Sequence, residues 1–299
     1  MIKKKGIDFK RISLMIFDIE TLPLTADIWR PGEQRVNHSQ LSLHRDMTEI
    51  ICITYIKNDG KGAQALVFEY GFEDSMTPMI SEFDRLVKEC DVVIGKNSSR
   101  FDTKHINTQR LMCGLPACPE WLDQHDDLET QMRRYFNMPS QSLDFWSKKF
   151  GLGGKIKMVW DDWQNIKNGH TLAILSNQMR NKKDISIVSQ YLFKEIDPEK
   201  VINKGLRTLT KMVTYGKKDV KDTMALVKKL APHVTFKHSM SNGDPLCCRR
   251  CGSDKVVETY QYQRGLTNYQ YFDCIEGNHG AGKVPLTKAG TYKATSILR

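Results

Sequence analysis

The chain has 299 residues, with 45 Lys and Arg against 35 Asp and Glu and a formal net charge of +10; that length suits one large domain with a smaller one attached. A hydrophobic content of 40% excludes wholesale disorder. The longest uncharged apolar stretch near the N-terminus, residues 13–17, is too short for a bilayer span or a signal-peptide core. The expectation is a cytoplasmic or DNA-associated protein with no export signal and no membrane span. The basic excess favours an acidic partner, such as nucleic acid or an anionic surface.

Residues 13–20 (SLMIFDIE) form a short apolar run ending in carboxylates, a buried strand that delivers acids at its C-terminal end. Residues 49–57 and 64–70 are rich in β-branched and aromatic side chains and flank the turn formers Asn58, Asp59 and Gly60, which predicts a hairpin. Ile80, Phe83, Leu86 and Val87 stripe a helix over residues 76–90; residues 91–95 read as a second buried strand and 101–113 as the helix after it. Residues 116–206 are polar and mostly helical by pattern, with breaks at residues 151–154 and at Asn168 and Gly169. A long helix follows over residues 208–234, with Val220, Met224, Val227 and Leu230 on one face and Pro232 near its end. Strand, hairpin, helix, strand, helix is an α/β arrangement. Turn formers over residues 237–245 predict a linker between a domain at 1–236 and a smaller one at 246–299.

Asp18 and Glu20, two apart in a strand, leave the same face. Close carboxylates repel unless a cation or a shared proton intervenes, although taken alone an Asp-x-Glu at a strand end is more often a solvated edge or helix cap. Asp102 alone reads as a first-turn acid favoured by the helix dipole. Tyr215 and Asp219 are four apart on one helical face. Asp222, three further on, fits a surface partner for nearby lysines as well as a ligand.

The order of these elements, Phe-Asp-Ile-Glu-Thr from Phe17, Asn97-x4-Asp102, then Tyr215-x3-Asp219, resembles the three motifs of the DEDD superfamily of 3'-5' exonucleases. The tyrosine subclass, found beside family B DNA polymerases, is the better match, because Thr214 stands where the histidine subclass has its histidine. The resemblance covers residues 13–232. It implies a ribonuclease H-like α/β fold with a mixed central sheet and flanking helices. It also implies release of nucleoside 5'-monophosphates from a 3' end. Asp18, Glu20, Asp102 and Asp219 would take the four acidic positions and Tyr215 the tyrosine position, as catalytic residues. Asn97 and Phe101 match positions that would touch the terminal nucleotide, although an Asn before a turn is commonly structural.

Four oxygen donors with no local His or Cys suit Mg²⁺ or Mn²⁺ rather than zinc, and a pair of such ions supplies what phosphodiester hydrolysis needs. Tyr215, protonated at neutral pH, is suited to orienting the attacking water. DNA is favoured over RNA as the partner, and a replication or repair protein would supply any polymerase. The alternative is a catalytically silent nucleic-acid-binding or scaffold protein on the same fold. Trp146, Trp160 and Trp163 fit either base stacking or core packing, and Lys155 and Lys157 either phosphate contact or a solvated basic loop.

Cys52, Cys90, Cys113 and Cys118 are scattered, as reduced core residues are, whereas Cys247, Cys248, Cys251 and Cys274 cluster late in the chain. Cys248-x2-Cys251-Gly252 is a metal knuckle. Cys274 has Gly277, not cysteine, three residues on, so His279 is the expected fourth zinc ligand, with Cys247 an alternative to Cys248. The segment resembles the zinc ribbons appended to nucleases. Residues 256–264 and 269–273 alternate as two hairpin strands. From Lys237 onward, nine basic residues interleaved with aromatics face five acids, which fits either nucleic-acid contact or a docking element.

Overall fold

The computed structural model describes residues 9, 11–24, 49–73, 76–179, 182–241, 247–264 and 266–286. Five strands form a mixed sheet in the order β3-β2-β1-β4-β5: β1 (Leu14–Thr21), β2 (Ile50–Lys57), β3 (Gln64–Val67), β4 (Val92–Gly95) and β5 (His125–Asp127). The central β1 pairs antiparallel with β2 and parallel with β4, and β4 runs parallel to β5. The turn after β2 reverses the chain at once, while each parallel step takes a helical crossover. These helices are α1 (Thr77–Lys88) before β4, and α2 (Asp102–Met112) and α3 (Pro119–Gln124) before β5. After β5 the chain is helical: α4 (Leu128–Tyr135), α5 (Leu143–Lys149), α6 (Trp160–Gln178), α7 (Lys182–Phe193) and α8 (Pro198–Leu230). Among the described residues, no helix is long and apolar enough to cross a membrane.

Two apolar clusters lie on opposite faces of the sheet. Met15, Phe17 and Ile19 enter one with Ile80 and Phe83 of α1 and Trp121 of α3; the Phe17 and Trp121 rings meet edge to face at 5.0 Å. Leu14 and Ile16 enter the other with Val220, Met224 and Val227 of α8 and Trp146 of α5. The period of two in β1 thus divides its side chains between the two cores.

A second, antiparallel sheet comprises β6 (Val256–Arg264), β7 (Thr267–Cys274) and β8 (His279–Pro285), in that order. It adds a third strand to the expected hairpin. It joins the body through Met240 N donating to Arg249 O at 2.8 Å and through Arg250, whose guanidinium donates to Pro232 O. Of the predicted linker, residues 242–245 lie outside the described residues, while Met240 is fully buried in the body's core and Lys237 N donates to Asp126.

The expected break at Asn168 and Gly169 is corrected: α6 runs through both residues. Gly169 is instead a crossing point. A Cβ there would lie 2.1 Å from Tyr70 Oη and 2.9 Å from Val201 O, and one at Gly205 of α8 would lie 2.1 Å from the same hydroxyl and 2.8 Å from Asn165 O. The two glycines let α6 and α8 touch backbone to backbone, and Tyr70 Oη caps the contact by donating to Ile202 O at 3.2 Å. The last long helix likewise starts at Pro198 rather than at residue 208; Asp197 caps it by accepting from Glu199 N.

Gly169→Ala gains up to about 1 kcal/mol of helix propensity but overpacks this crossing, at a cost of about 1–3 kcal/mol. The urea midpoint should therefore fall, and Tyr70→Phe in the same chain should recover part of the loss. A midpoint raised by Gly169→Ala alone would contradict the close crossing.

Candidate active site and metal centre

Because Met15, Phe17 and Ile19 turn to the α1 side, Asp18 and Glu20 share the opposite face with Leu14 and Ile16, under α8. The apolar pair is fully buried and the two acids half-buried. The helix approaches closely at this point. A Cβ on Gly216 would lie 2.7 Å from Thr54 Cγ2 and 2.8 Å from its Oγ1, and Thr54 is the β2 residue paired with Asp18. Any side chain at position 216 would lift Tyr215 and Asp219, one turn apart on the flanking face, away from the strand acids.

Asp102 arrives by another route. It opens α2 just after β4, the parallel neighbour of β1, and its Oδ1 accepts from Ile19 N at 3.1 Å in a buried contact. The intervening loop is tied by Asp127 at the end of β5, whose carboxylate accepts from Asn97 N and Ser99 N at 2.9 Å each and from Glu129 N at 2.8 Å. Asn97 stands at φ 62°, in the left-handed region that Asn tolerates. The structure thus brings Asp18, Glu20, Asp102, Tyr215 and Asp219 to one place, at the carboxyl ends of the parallel strands.

The electrostatics record the crowding. Burial, then repulsion from Asp102, Glu20 and Asp219, pushes the Asp18 carboxyl well above the usual range. Burial, then the Asp219 charge, raises Glu20 to about 7; Trp163 opposes this by hydrogen bonding to the carboxylate. Asp102 is also raised to about 7 by burial, against two backbone hydrogen bonds that favour its charged form. Burial raises Tyr215 to about 12. The offsetting cation is Lys155, from the extended segment between α5 and α6, whose Nζ donates to Asp219 Oδ2 at 2.6 Å and to Tyr215 Oη at 2.8 Å. Asp219 Oδ1 is buried with no hydrogen-bond partner.

The sequence offers Lys155 as a phosphate contact or part of a solvated basic loop; the structure instead makes it a partner of Tyr215 and Asp219, which lie far from it in sequence, while Asp127, which acts through backbone amides, carries no sequence signal. Asp222 resolves as an ion-pair partner of Lys218, at 2.7 Å. Phe101 is 41% exposed, edge-on to His105, and Asn97 is half-buried. Trp146 is core, Trp163 is a partner of Glu20, and Trp160 and Lys157 are exposed.

In the second sheet, Cys248 and Cys251 lie in the turn before β6, Cys274 ends β7 and His279 opens β8 directly opposite it. Their donor atoms all fall within 4.8 Å of one another, and among the described residues no other set of metal-ligating side chains is that tight. The Cys251 and Cys274 sulfurs are 3.6 Å apart, close to the edge of about 3.8 Å of a tetrahedron with 2.3 Å zinc–sulfur bonds. His279 Nε2 faces Cys248 Sγ at 4.0 Å, and its Nδ1 lies 3.0 Å from Gly280 O, which suits the carbonyl as the acceptor that orients a metal-binding imidazole. This Cys3His group can hold a metal such as zinc, and Cys248 rather than Cys247 belongs to it.

Zinc binding at this group should give about one ion per chain. Cys274→Ser or His279→Ala should lower that occupancy and expose β6–β8 to proteolysis while leaving the five-stranded sheet folded. Full zinc content in Cys274→Ser would exclude the assignment. A second expectation concerns pH. Glu20 has a folded-state value of about 7 against an ordinary 4.5, and Asp102 about 7 against 3.8. Between those values the native state holds protons that the unfolded chain has lost, so this pair's contribution to stability falls as pH rises from about 4 to 7. Without added divalent ions, the wild type should lose thermal midpoint over that window more steeply than Glu20→Gln; equal slopes would show that Glu20 is not the titrating group.

The chain matches no protein-family model and no curated protein. Among solved structures, the family B DNA polymerase from the hyperthermophilic archaeon Pyrobaculum calidifontis aligns at 17% identity and TM-score 0.44, covering 74% of this chain and 25% of the polymerase chain. The present chain therefore spans about a quarter of that protein's length.

Proposed function

We propose that the protein is a metal-dependent 3'-5' exonuclease that hydrolyses nucleic acid, DNA in preference to RNA, and releases nucleoside 5'-monophosphates. The observation that carries this reading is the convergence of Asp18, Glu20, Asp102 and Asp219, from one strand and two helices, beside the Tyr215 hydroxyl. The sheet order, with an antiparallel β2 beside three parallel strands, suits the ribonuclease H-like fold that the motifs imply.

The donor set fits hard divalent ions. All four groups offer oxygen, Asp219 Oδ1 is a buried acceptor without a hydrogen-bond partner, and the carboxyls are raised by burial first and by their mutual repulsion second. Asp18, Glu20, Asp102 and Asp219 would hold Mg²⁺ or Mn²⁺. A bound pair of such ions would neutralise charge on the phosphate and acidify the attacking water. Tyr215 keeps its proton at neutral pH and offers the hydroxyl as an orienting hydrogen-bond partner for that water rather than as its base. Lys155, held on both Tyr215 and Asp219, offsets part of the cluster's negative charge and positions these two side chains. The Cys3His module would supply a structural zinc and part of the basic surface.

End-labelled DNA and RNA incubated with Mg²⁺ or Mn²⁺ test the reading. Wild type should shorten DNA from its 3' end. Asp18→Ala or Asp219→Ala should slow this by about three orders of magnitude, the several kcal/mol that charge stabilisation supplies. Because these variants relieve repulsion, their thermal midpoints should be unchanged or raised. Undiminished cleavage by either variant would overturn the assignment, and strand binding without hydrolysis by the wild type would favour the silent binding protein.

A further inference from the structure

A cavity of about 220 Å³ lies where the chain leaving α8 meets the Cys3His module, lined by Phe236 and His238 from the body and by Arg249, Arg250, Tyr271 and Lys283 from the module. It has room for about seven water volumes, and no Asp or Glu lines it. Among the described residues none of its three permanent cations is ion-paired. Arg250 donates to the Pro232 carbonyl, and Lys283 Nζ sits over the Tyr269 ring at 4.4 Å. Arg249 Nε is buried without a hydrogen-bond partner, as is His238 Nε2, which accepts or donates in the neutral ring according to tautomer and donates when the ring is protonated.

Three converging positive charges repel one another, and a buried guanidinium nitrogen without an acceptor costs free energy comparable to a lost hydrogen bond. An anion answers both. A tetrahedral phosphate matches the guanidinium fork, and lysine adds a point charge. The neighbouring surface indicates what bears the phosphate. Tyr260 stacks on Tyr271 with centroids 4.6 Å apart, and Tyr260 and Tyr262 are 57% and 51% exposed on β6. Exposed aromatics beside unpaired cations suit unpaired bases on a charged backbone.

We infer that this cleft is a second nucleic-acid contact, a site for a backbone phosphate of a single strand held by Arg249, Arg250 and Lys283. The nucleic-acid identity rests on the exonuclease reading above, whereas anion binding does not. The cleft is distinct from the carboxylate cluster: α8 continues eleven residues past Asp219 to Leu230, about 16 Å of helix, before the chain reaches Phe236.

The test uses the full zinc-loaded chain carrying Asp219→Ala, so that the strand survives, and a fluorescein-labelled 15-nucleotide oligothymidylate read by anisotropy. Adding Arg249→Ala or Lys283→Ala should weaken binding about ten-fold each and reduce the slope of log affinity against log salt by about 1. A methylphosphonate strand, lacking the backbone charge, should show no such sensitivity, and inorganic phosphate should compete with the natural strand. Zinc content and thermal midpoint identify any variant whose module has failed to fold; Arg249→Lys, which keeps the charge but loses the fork, then stands in for Arg249→Ala and should bind less tightly than the Asp219→Ala parent. Unchanged affinity and salt slope in folded Arg249 and Lys283 variants would overturn the proposal. Competition by phosphate that leaves strand affinity unaltered in those variants would overturn its nucleic-acid half. Should the wild type fail to hydrolyse DNA while Arg249→Ala still weakens strand binding, the exonuclease reading falls and this one stands.

Discussion

Apolar burial along α8 holds like charges together that would otherwise separate. Leu209 and Met212 sink into the cluster on one side of the helix's course, and Val220, Met224, Val227 and Leu230 into the other. Tyr215 and Asp219 lie between these two anchors, where no further apolar contact is needed to hold the backbone. Each buried side chain stabilises by about 1.5–3 kcal/mol, so the helix cannot retreat from Asp18 and Glu20 without giving up one anchor. Gly216 sets how close the approach is, because Thr54 leaves no room for a Cβ there. The carboxyl pKa values are therefore held up, by burial first and by mutual repulsion second, and movement does not relieve them.

Lys155 moderates this arrangement without abolishing it. One ammonium meets one oxygen of Asp219 and the Tyr215 hydroxyl, leaving the other Asp219 oxygen unpartnered and the strand acids still raised. Lys155 hydrogen-bonds only one of the four carboxylates, and the proposal of further bound cations rests on the remainder.

What was legible in the sequence was what depends on short range. Alternation in β1 placed Asp18 and Glu20 on one face, the four-residue step placed Tyr215 beside Asp219, and the knuckle at Cys248 and Cys251 declared itself. Long-range supports were not. Asp127 acts through three backbone amides and Lys155 reaches across sixty residues, and neither carries a local pattern. β5 is three residues of His and Asp, and β8 contains two glycines, so neither has strand composition. Gly169 was misread because a glycine's cost in an isolated helix says nothing of a neighbouring helix that requires the missing Cβ.

The charge layout connects the two proposed contacts. Setting aside Asp18, Glu20, Asp102 and Asp219, the formal +10 of the chain becomes +14, so the acids stand in a protein whose remaining surface attracts the polyanion they would repel. A strand approaching the carboxylates without metal meets a negative field, and affinity must then come from elsewhere on the surface. The proposed cleft some way beyond the end of α8, whose cations have no ion-pair partner among the described residues, meets that need, because contacts to backbone phosphate read no sequence. Separating the two roles also keeps them from cancelling. Cations placed beside the acids would pair with them, as Lys155 does with Asp219, whereas cations in an acid-free cavity remain available to the strand.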